Sequence, residues 1–351
     1  MTADFWVSLA QFALAIIALI ILHEFGHFIA ARTMKVEVEE FGLGFPPRAL
    51  VLFKAWGTKF TLNWIPLGGF VRPKGENDPN VPGGLASARP LVRLLVYVAG
   101  PLMNLMLGFL LYALIFYRIG LPDNTQVSIM DVVANSPAAQ AGLKAGDIIL
   151  EVNSQKIDSQ NKLHDAIYAS LDQSTEIVYK RGEDIIKTSV VPRSNPPEGE
   201  GAIGIIMGSP MVQANLPRAL GAGGIAVYQH SRALLELPIL LLRGDVSPEE
   251  KPQLLGFRGM FNTFQDARQG EIAPGVPSDV GVLFFITNIT ISLGLLNLLP
   301  FPALDGGRIL FVLPELLFRR RIPPEFENLM NLVGFAILIL LMLYINLQEF
   351  I

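Results

Sequence analysis

The chain has 351 residues, 51% of them hydrophobic and 17% charged, a balance that indicates a membrane protein with a soluble portion. A formal net charge of −4 makes no electrostatic case for nucleic acid as a partner. Cysteine is absent, which excludes disulfides and thiolate metal sites and leaves histidine and carboxylates as candidate ligands.

Residues 5–22 carry no charge, and the apolar pattern continues through Phe28, Ile29, Ala30 and Ala31. The hydrocarbon core needs about 20 such residues, so Phe5–Ala31 is the first expected span. It has no basic leader and exceeds the ~7–15-residue apolar region of a signal peptide, and is therefore expected to be retained. Near its end stand His23, Glu24 and His27. Ionisable groups inside a span are costly and functional by default. At about 100° per residue, positions i and i+4 lie roughly 40° apart, so the imidazoles share a helix face. That face can offer two neutral nitrogens to zinc, with Glu24 beside them as general base.

The connection from Arg32 to Arg93 carries nine Lys or Arg and is expected to be cytoplasmic by the positive-inside rule. Within it, Phe60–Arg72 alternates poorly, and Pro66-Leu67-Gly68-Gly69 suits a bend or hairpin. Leu94–Tyr117 is the second expected span, with Asn104 as a packing or hydrogen-bonding amide. A small α+β domain is expected at 124–193: strands at Val127–Val133, Ile148–Val152, Glu176–Tyr179 and Ile185–Val191, and helices after Asn135-Ser136-Pro137 and over Ser159–Ser170. Its Ser136–Asn153 stretch, SPAAQAGLKAGDIILEVN, closely resembles bacterial PDZ domains, which bind peptides by strand addition. His164 on its second helix is read as an ordinary surface or core residue.

Residues 194–217 read as a Pro- and Gly-rich linker. Residues 218–242 read as an interface-lying helix, because Gln229, His230, Arg232 and Glu236 interrupt the apolar run. Residues 243–280 read only as a charged connector. Val282–Leu299 and Leu329–Leu347 complete four expected spans, with Arg308, Arg319, Arg320 and Arg321 placing the connection between them on the cytoplasmic side. His23 and His27 lie roughly 27–33 Å along the first helix at ~1.5 Å per residue, which puts them near its cytoplasmic end. The expected division is 1–123, 124–193, 194–280 and 281–351.

A hydrolytic zinc site needs a third protein ligand and an open position. Asp305 stands out in Asn297–Gly307, NLLPFPALDGG, at the same expected depth as the histidines. Two prolines stop the third helix from running on, and the Gly pair lets backbone pass close to another element.

These motifs together resemble the site-2 protease family of intramembrane zinc metalloproteases: HEFGH in the first span, NLLPFPALDGG at the third, and the PDZ-like insert between. FGLGFPPR (Phe41–Arg48), IPLGGFVRP (Ile65–Pro73) and AGPLMN (Ala99–Asn104) extend the match over most of the chain. The resemblance implies a polytopic α-helical membrane protein with a membrane-associated β element and an inserted PDZ-like α+β domain. It implies Zn²⁺ held by His23, His27 and Asp305, Glu24 as catalytic base, and Asn297 as a polar helper. Gly68, Gly69 and Phe70 would lie in a β element that holds an unwound substrate. The implied partners are single-pass membrane proteins, such as anti-sigma factors or remnant signal peptides, the lipid bilayer, and peptide termini at the PDZ-like domain. The implied location is the inner (plasma) membrane, with the insert extracytoplasmic and the active site near the cytoplasmic face. Some bacterial relatives carry two PDZ domains; only one copy is legible here.

Two other readings compete. A PDZ-bearing scaffold with a structural metal would have no need of Glu24. A metal transporter would need a charged path across the bilayer, whereas the candidate ligands cluster at one face.

Overall fold

An unbroken 31-residue helix, α1 (Ala3–Thr33), opens the chain. The computed structural model describes residues 3–244, 255–270 and 277–349. It divides into two units, Met1–Ile115 with Leu220–Ile351, and Phe116–Ala219. Among the described residues four helices are long and apolar enough to cross a membrane: α1, Pro90–Ile119, Ser278–Leu298 and Pro324–Gln348. Each contains one of the four expected spans except at Leu299, where backbone turns extended before Pro300.

After α1 come two long antiparallel strands, β1 (Val38–Ala55) and β2 (Thr58–Pro73). The tight turn is at Trp56-Gly57, between the paired Ala55 and Thr58. Pro66–Gly69, expected as a bend or hairpin, is where β2 bends back. Glu40–Leu43 has partners on both sides, Lys59–Leu62 and Gly69–Arg72. Two strands thereby make a sheet several segments wide, which strict alternation could not reveal. Glu40 is only 3% exposed. Its carboxylate accepts from Arg48 Nε (2.9 Å) and Nη2 (2.6 Å), Thr61 Oγ1 (2.8 Å) and Arg72 Nη1 (3.3 Å).

Helix α2 (Pro90–Ile119) leads into the second unit. That unit contains β3 (Leu121–Pro122), β4 (Val127–Val132), α3 (Pro137–Gln140), β5 (Ile148–Val152), β6 (Gln155–Lys156), α4 (Gln160–Tyr168), β7 (Thr175–Arg181), β8 (Asp184–Val190), β9 (Ile205–Gly208) and β10 (Met211–Val212). The main sheet runs β8-β7-β5-β4-β9, with β6 on β5, while β10 pairs with β3. Ser136 and Ser159 cap α3 and α4 through their hydroxyls, as Ser before a helix favours. Val127, Ile129, Ile149, Val152, Leu163 and Ile177 form the core. Buried Asp147 is held by Arg181 at 2.7 and 2.8 Å.

The sheet runs past 193, so the stretch read as linker belongs in part to this domain. Ile205–Gly208 pairs with β4; four residues among Gly and Pro are too few to display a strand period.

Helix α5 (Leu216–Arg243) passes from the second unit back to the first. The stretch read as featureless connector contains α6 (Phe257–Gln269), while 245–254 and 271–276 lie outside the described residues. Phe257, Phe261 and Phe264 follow helical spacing, the overlooked signal. Phe261 and Phe264 pack with Phe12 and Phe285, Phe285 belonging to α7 (Ser278–Leu298). The chain closes with α8 (Asp305–Phe318) and α9 (Pro324–Gln348).

Burial opposes the charge on Glu40, but hydrogen bonds from Arg48 and Thr61 and the charges of Arg48 and Arg72 more than offset it, holding its pKa below the ordinary 4.5. Because the folded-state pKa is depressed, this contribution is present above the unfolded value and is lost as pH falls through the folded one. Glu40→Ala should destabilise the sheet by about 1–3 kcal/mol, seen as faster hydrogen exchange over residues 38–73 at neutral pH. The difference from wild type should shrink as pH falls below the ordinary 4.5.

Candidate metal centre

Two helices carry the histidines and hold them. His23 and His27, on one face of α1, place their Nε2 atoms 3.2 Å apart. His27 Nδ1 lies 2.7 Å from the Val96 carbonyl oxygen of α2. A carbonyl can only accept, so Nδ1 carries the proton and the Nε2 lone pair faces the cluster. His23 Nδ1 faces the amide of fully buried Asn104, also on α2, at 3.3 Å.

This geometry needs helices that nearly touch. A Cβ at Gly100 would lie 2.3 Å from His27 Nε2, and one at Gly26 would lie 2.4 Å from the Ala99 carbonyl oxygen. In the sequence Ala99-Gly100-Pro101 is only part of a motif; in the structure Gly100 leaves the space that His27 occupies.

Asp305 is the first residue of α8, delivered by the irregular Leu299–Leu304 segment. Asn331 of α9 accepts the Ala303 N–H at 3.1 Å. A Cβ on Gly306 would meet the Leu299 carbonyl oxygen at 2.1 Å, so the expected close passage at the Gly pair is observed. Asp305 Oδ2 reaches His23 Nε2 at 3.1 Å and His27 Nε2 at 3.2 Å.

The three atoms fit a metal. Tetrahedral zinc with ligands at ~2.0–2.1 Å requires ligand–ligand separations of roughly 3.3–3.4 Å, close to the spacings here. Among the described residues, His23, His27 and Asp305 are the group able to hold an ion together. Two ring nitrogens and a carboxylate oxygen turned on one another call for a cation at their centre.

Glu24 accepts the Val71 N–H of β2 at 2.9 Å. One cavity of about 380 Å³ brings together every sequence-predicted site residue: His23, Glu24, His27, Gly68, Gly69, Phe70, Asn297 and Asp305 all line it. Asn297 Nδ2 donates to Leu293 of its own helix at 3.0 Å, leaving the rest of its amide at the wall. Arg308 and Glu76 also line the cavity and form an ion pair. In the sequence Arg308 serves only to orient the chain and Glu76 gives no signal, because a charged pair distant in sequence carries no local signature.

The model of peptidase family M50 matches residues 11–341. The chain belongs to peptidase family M50. A Clostridium perfringens protein named as a zinc metalloprotease is 31% identical over 339 residues, covering 96% of this chain and 97% of its own. A Campylobacter jejuni protein named likewise is 33% identical, covering 94% of this chain and 90% of its own. Metalloprotease MmpA of Caulobacter vibrioides is 26% identical, covering 97% and 94%. A solved PDZ domain of an SdrC-like protein from Listeria monocytogenes is 27% identical, covering 24% of this chain and 87% of its own, with a TM-score of 0.22. The M50 chain is thus a membrane zinc metalloprotease.

The contact at Gly100 has a measurable consequence. Gly100→Ala should displace the His27 ring and weaken zinc binding about 10–100-fold, the range for lost support of a ligand, in a chelator competition.

Proposed function

We propose that this M50 protease cuts single-pass membrane proteins within their membrane segments, with His23, His27 and Asp305 holding zinc and Glu24 as general base. The observation that carries this reading is the sharing of one cavity by those four side chains and the Gly68–Phe70 stretch of β2, on helices apolar enough to lie in the bilayer. Bound zinc supplies Lewis-acid chemistry, polarising a carbonyl and acidifying water. Glu24 takes a proton from the attacking water and returns it to the leaving amine. Its hydrogen bond from Val71 aims the carboxylate before substrate arrives. Asn297 at the cavity wall helps position the scissile segment.

A transmembrane substrate keeps its carbonyls in i→i−4 bonds and must open before attack. Gly69–Val71 pairs with β1 on one side and turns the Val71 N–H towards Glu24 on the other. That edge, which no strand pairs with among the described residues, can accept the opened segment as an added strand. Catalysis then belongs to the membrane segments 1–123 and 281–351. From residue 124 onward the Phe116–Ala219 unit serves as a PDZ-like module that reads peptide termini in the groove between α4 and β9, lined by Leu163, Tyr168, Ile203 and Ile205. The distribution of Lys and Arg supports a plasma-membrane protein with this unit outside and the metal centre near the cytoplasmic face. Trimmed anti-sigma factors and remnant signal peptides are the client classes that the family resemblance favours.

The test is cleavage of a model single-pass substrate by the full chain in liposomes, with products located by mass spectrometry. Cuts inside the membrane segment support the proposal; cuts confined to flanking soluble residues overturn it. Glu24→Gln should retain zinc and lose about 10²–10⁴-fold in cleavage rate. Chelation should abolish cleavage and added zinc restore it. Replacing helix-weakening residues near the cut with Leu should slow cleavage, and an unchanged rate would remove unwinding from the mechanism.

A further inference from the structure

We infer that Asn104 is a positioning residue, whose amide oxygen fixes the His23 tautomer that leaves Nε2 free for zinc. The inference rests on the reading that His23, His27 and Asp305 hold the metal.

The two histidines have different supports on α2. His27 has the Val96 carbonyl oxygen, which can act only as an acceptor. His23 has an amide, which can present either of two ends. As placed, Asn104 Nδ2 lies 3.3 Å from His23 Nδ1, and His23 Nε2 lies 3.1 Å from Asp305 Oδ2. With the Nδ2 end donating, Nδ1 must accept, and the ring proton then sits on Nε2, where it faces Asp305 and blocks a metal. A half-turn of the amide exchanges its ends at almost no steric cost. The bond to His23 survives with donor and acceptor reversed: Nδ1–H donates to Oδ1, and the Nε2 lone pair faces the cluster.

The metal reading selects the turned state, because only the Nδ1–H tautomer of His23 turns the Nε2 lone pair on the cluster. Asn104 is fully buried, and its Oδ1 has no hydrogen-bond partner as placed. Turning the amide gives that oxygen the imidazole N–H and leaves the NH2 group in the place the oxygen held. The Asn104 backbone oxygen accepts from Thr290 Oγ1 at 3.2 Å, tying α2 to α7 independently of the amide. A side-chain substitution therefore tests the amide without cutting that tie.

The experiment measures zinc affinity of the purified full chain by chelator competition, with the visible spectrum of the cobalt(II)-loaded protein as a second readout. Asn104→Leu keeps the shape and removes the acceptor; Asn104→Asp can only accept. We expect a 10–100-fold loss of zinc affinity and an altered cobalt spectrum for Asn104→Leu. Asn104→Asp should bind zinc at least as tightly as wild type. Equal affinity of Asn104→Leu and wild type overturns the inference, as does an equal loss in both variants, which would indicate packing alone. If Asn104→Leu does not fold, Asn104→Asp decides: affinity at or above wild type supports the inference, and a loss beyond tenfold overturns it. His23→Ala separates the two levels of argument. If His23→Ala binds zinc as wild type does, the assignment of the metal ligands fails before Asn104 is tested.

Discussion

The contact on which the rest depends is the near-touching of α1 and α2 at Gly26, Ala99 and Gly100. In hydrocarbon an imidazole cannot borrow hydrogen bonds from water, so its second nitrogen must find a partner in the protein. A neighbouring helix at ordinary spacing presents side chains, with its carbonyls bonded along its own axis. Removing the Cβ at Gly100 brings α2 backbone within reach of the His27 ring. The Val96 carbonyl then fixes that ring, while Asn104, eight residues further along α2, meets the ring one turn earlier on α1. A helix pair that packs loosely here could carry the same histidines without aiming them.

The carboxylate arrives by a different device. Helix α7 ends before Pro300, and the chain needs only a few residues to start α8 at Asp305. Such a segment at membrane depth has unpaired backbone groups that must be met by protein. Leu304 N–H donates to Phe301, and Ala303 N–H to Asn331 of α9. The first turn of α8 then places Asp305 at a helix N-terminus, where the macrodipole favours an anion. Further along α8, Arg308 pairs with Glu76 and Glu315 with Arg93 of α2. These pairs fix the helix that carries Asp305. Their contribution is orientation, since the desolvation of buried charges offsets most of their Coulomb attraction.

What the sequence disclosed follows from which features have a local signature. HEFGH is legible because two imidazoles four apart must share a helix face. Asp305 is legible because prolines and paired glycines announce an irregular segment inside an apolar stretch. The four spans are legible from length and hydropathy alone. The supports were hidden for a common reason. Val96 acts through its carbonyl, which every residue has, and Gly100 through the absence of a side chain. Strand β9 is too short to show a period, and the several-segment sheet of β1 and β2 depends on bends that redirect side chains. Helix α6 did carry a signature, in Phe257, Phe261 and Phe264, but its polar residues and flanking glycines masked it.

The β element beside the metal centre solves a problem that the helices create. A helical substrate in lipid satisfies its backbone internally, and opening even one turn strands several N–H and C=O groups at a cost of some kcal/mol each. No arrangement of catalytic side chains removes that cost, because it falls on the substrate. A strand edge does, by offering replacement partners as the old bonds break. On the proposed reading the Gly68–Val71 edge does this beside Glu24, so opening and attack occur in the same cavity. Glycine suits that edge: a Cβ on Gly69 would lie 3.3 Å from the Gly42 carbonyl oxygen and reach contact with Glu24 Cγ at 3.4 Å, filling space beside the base. On that reading the sheet and the metal ligands are one device, in which the strand makes a carbonyl available and α1 presents the groups that attack it.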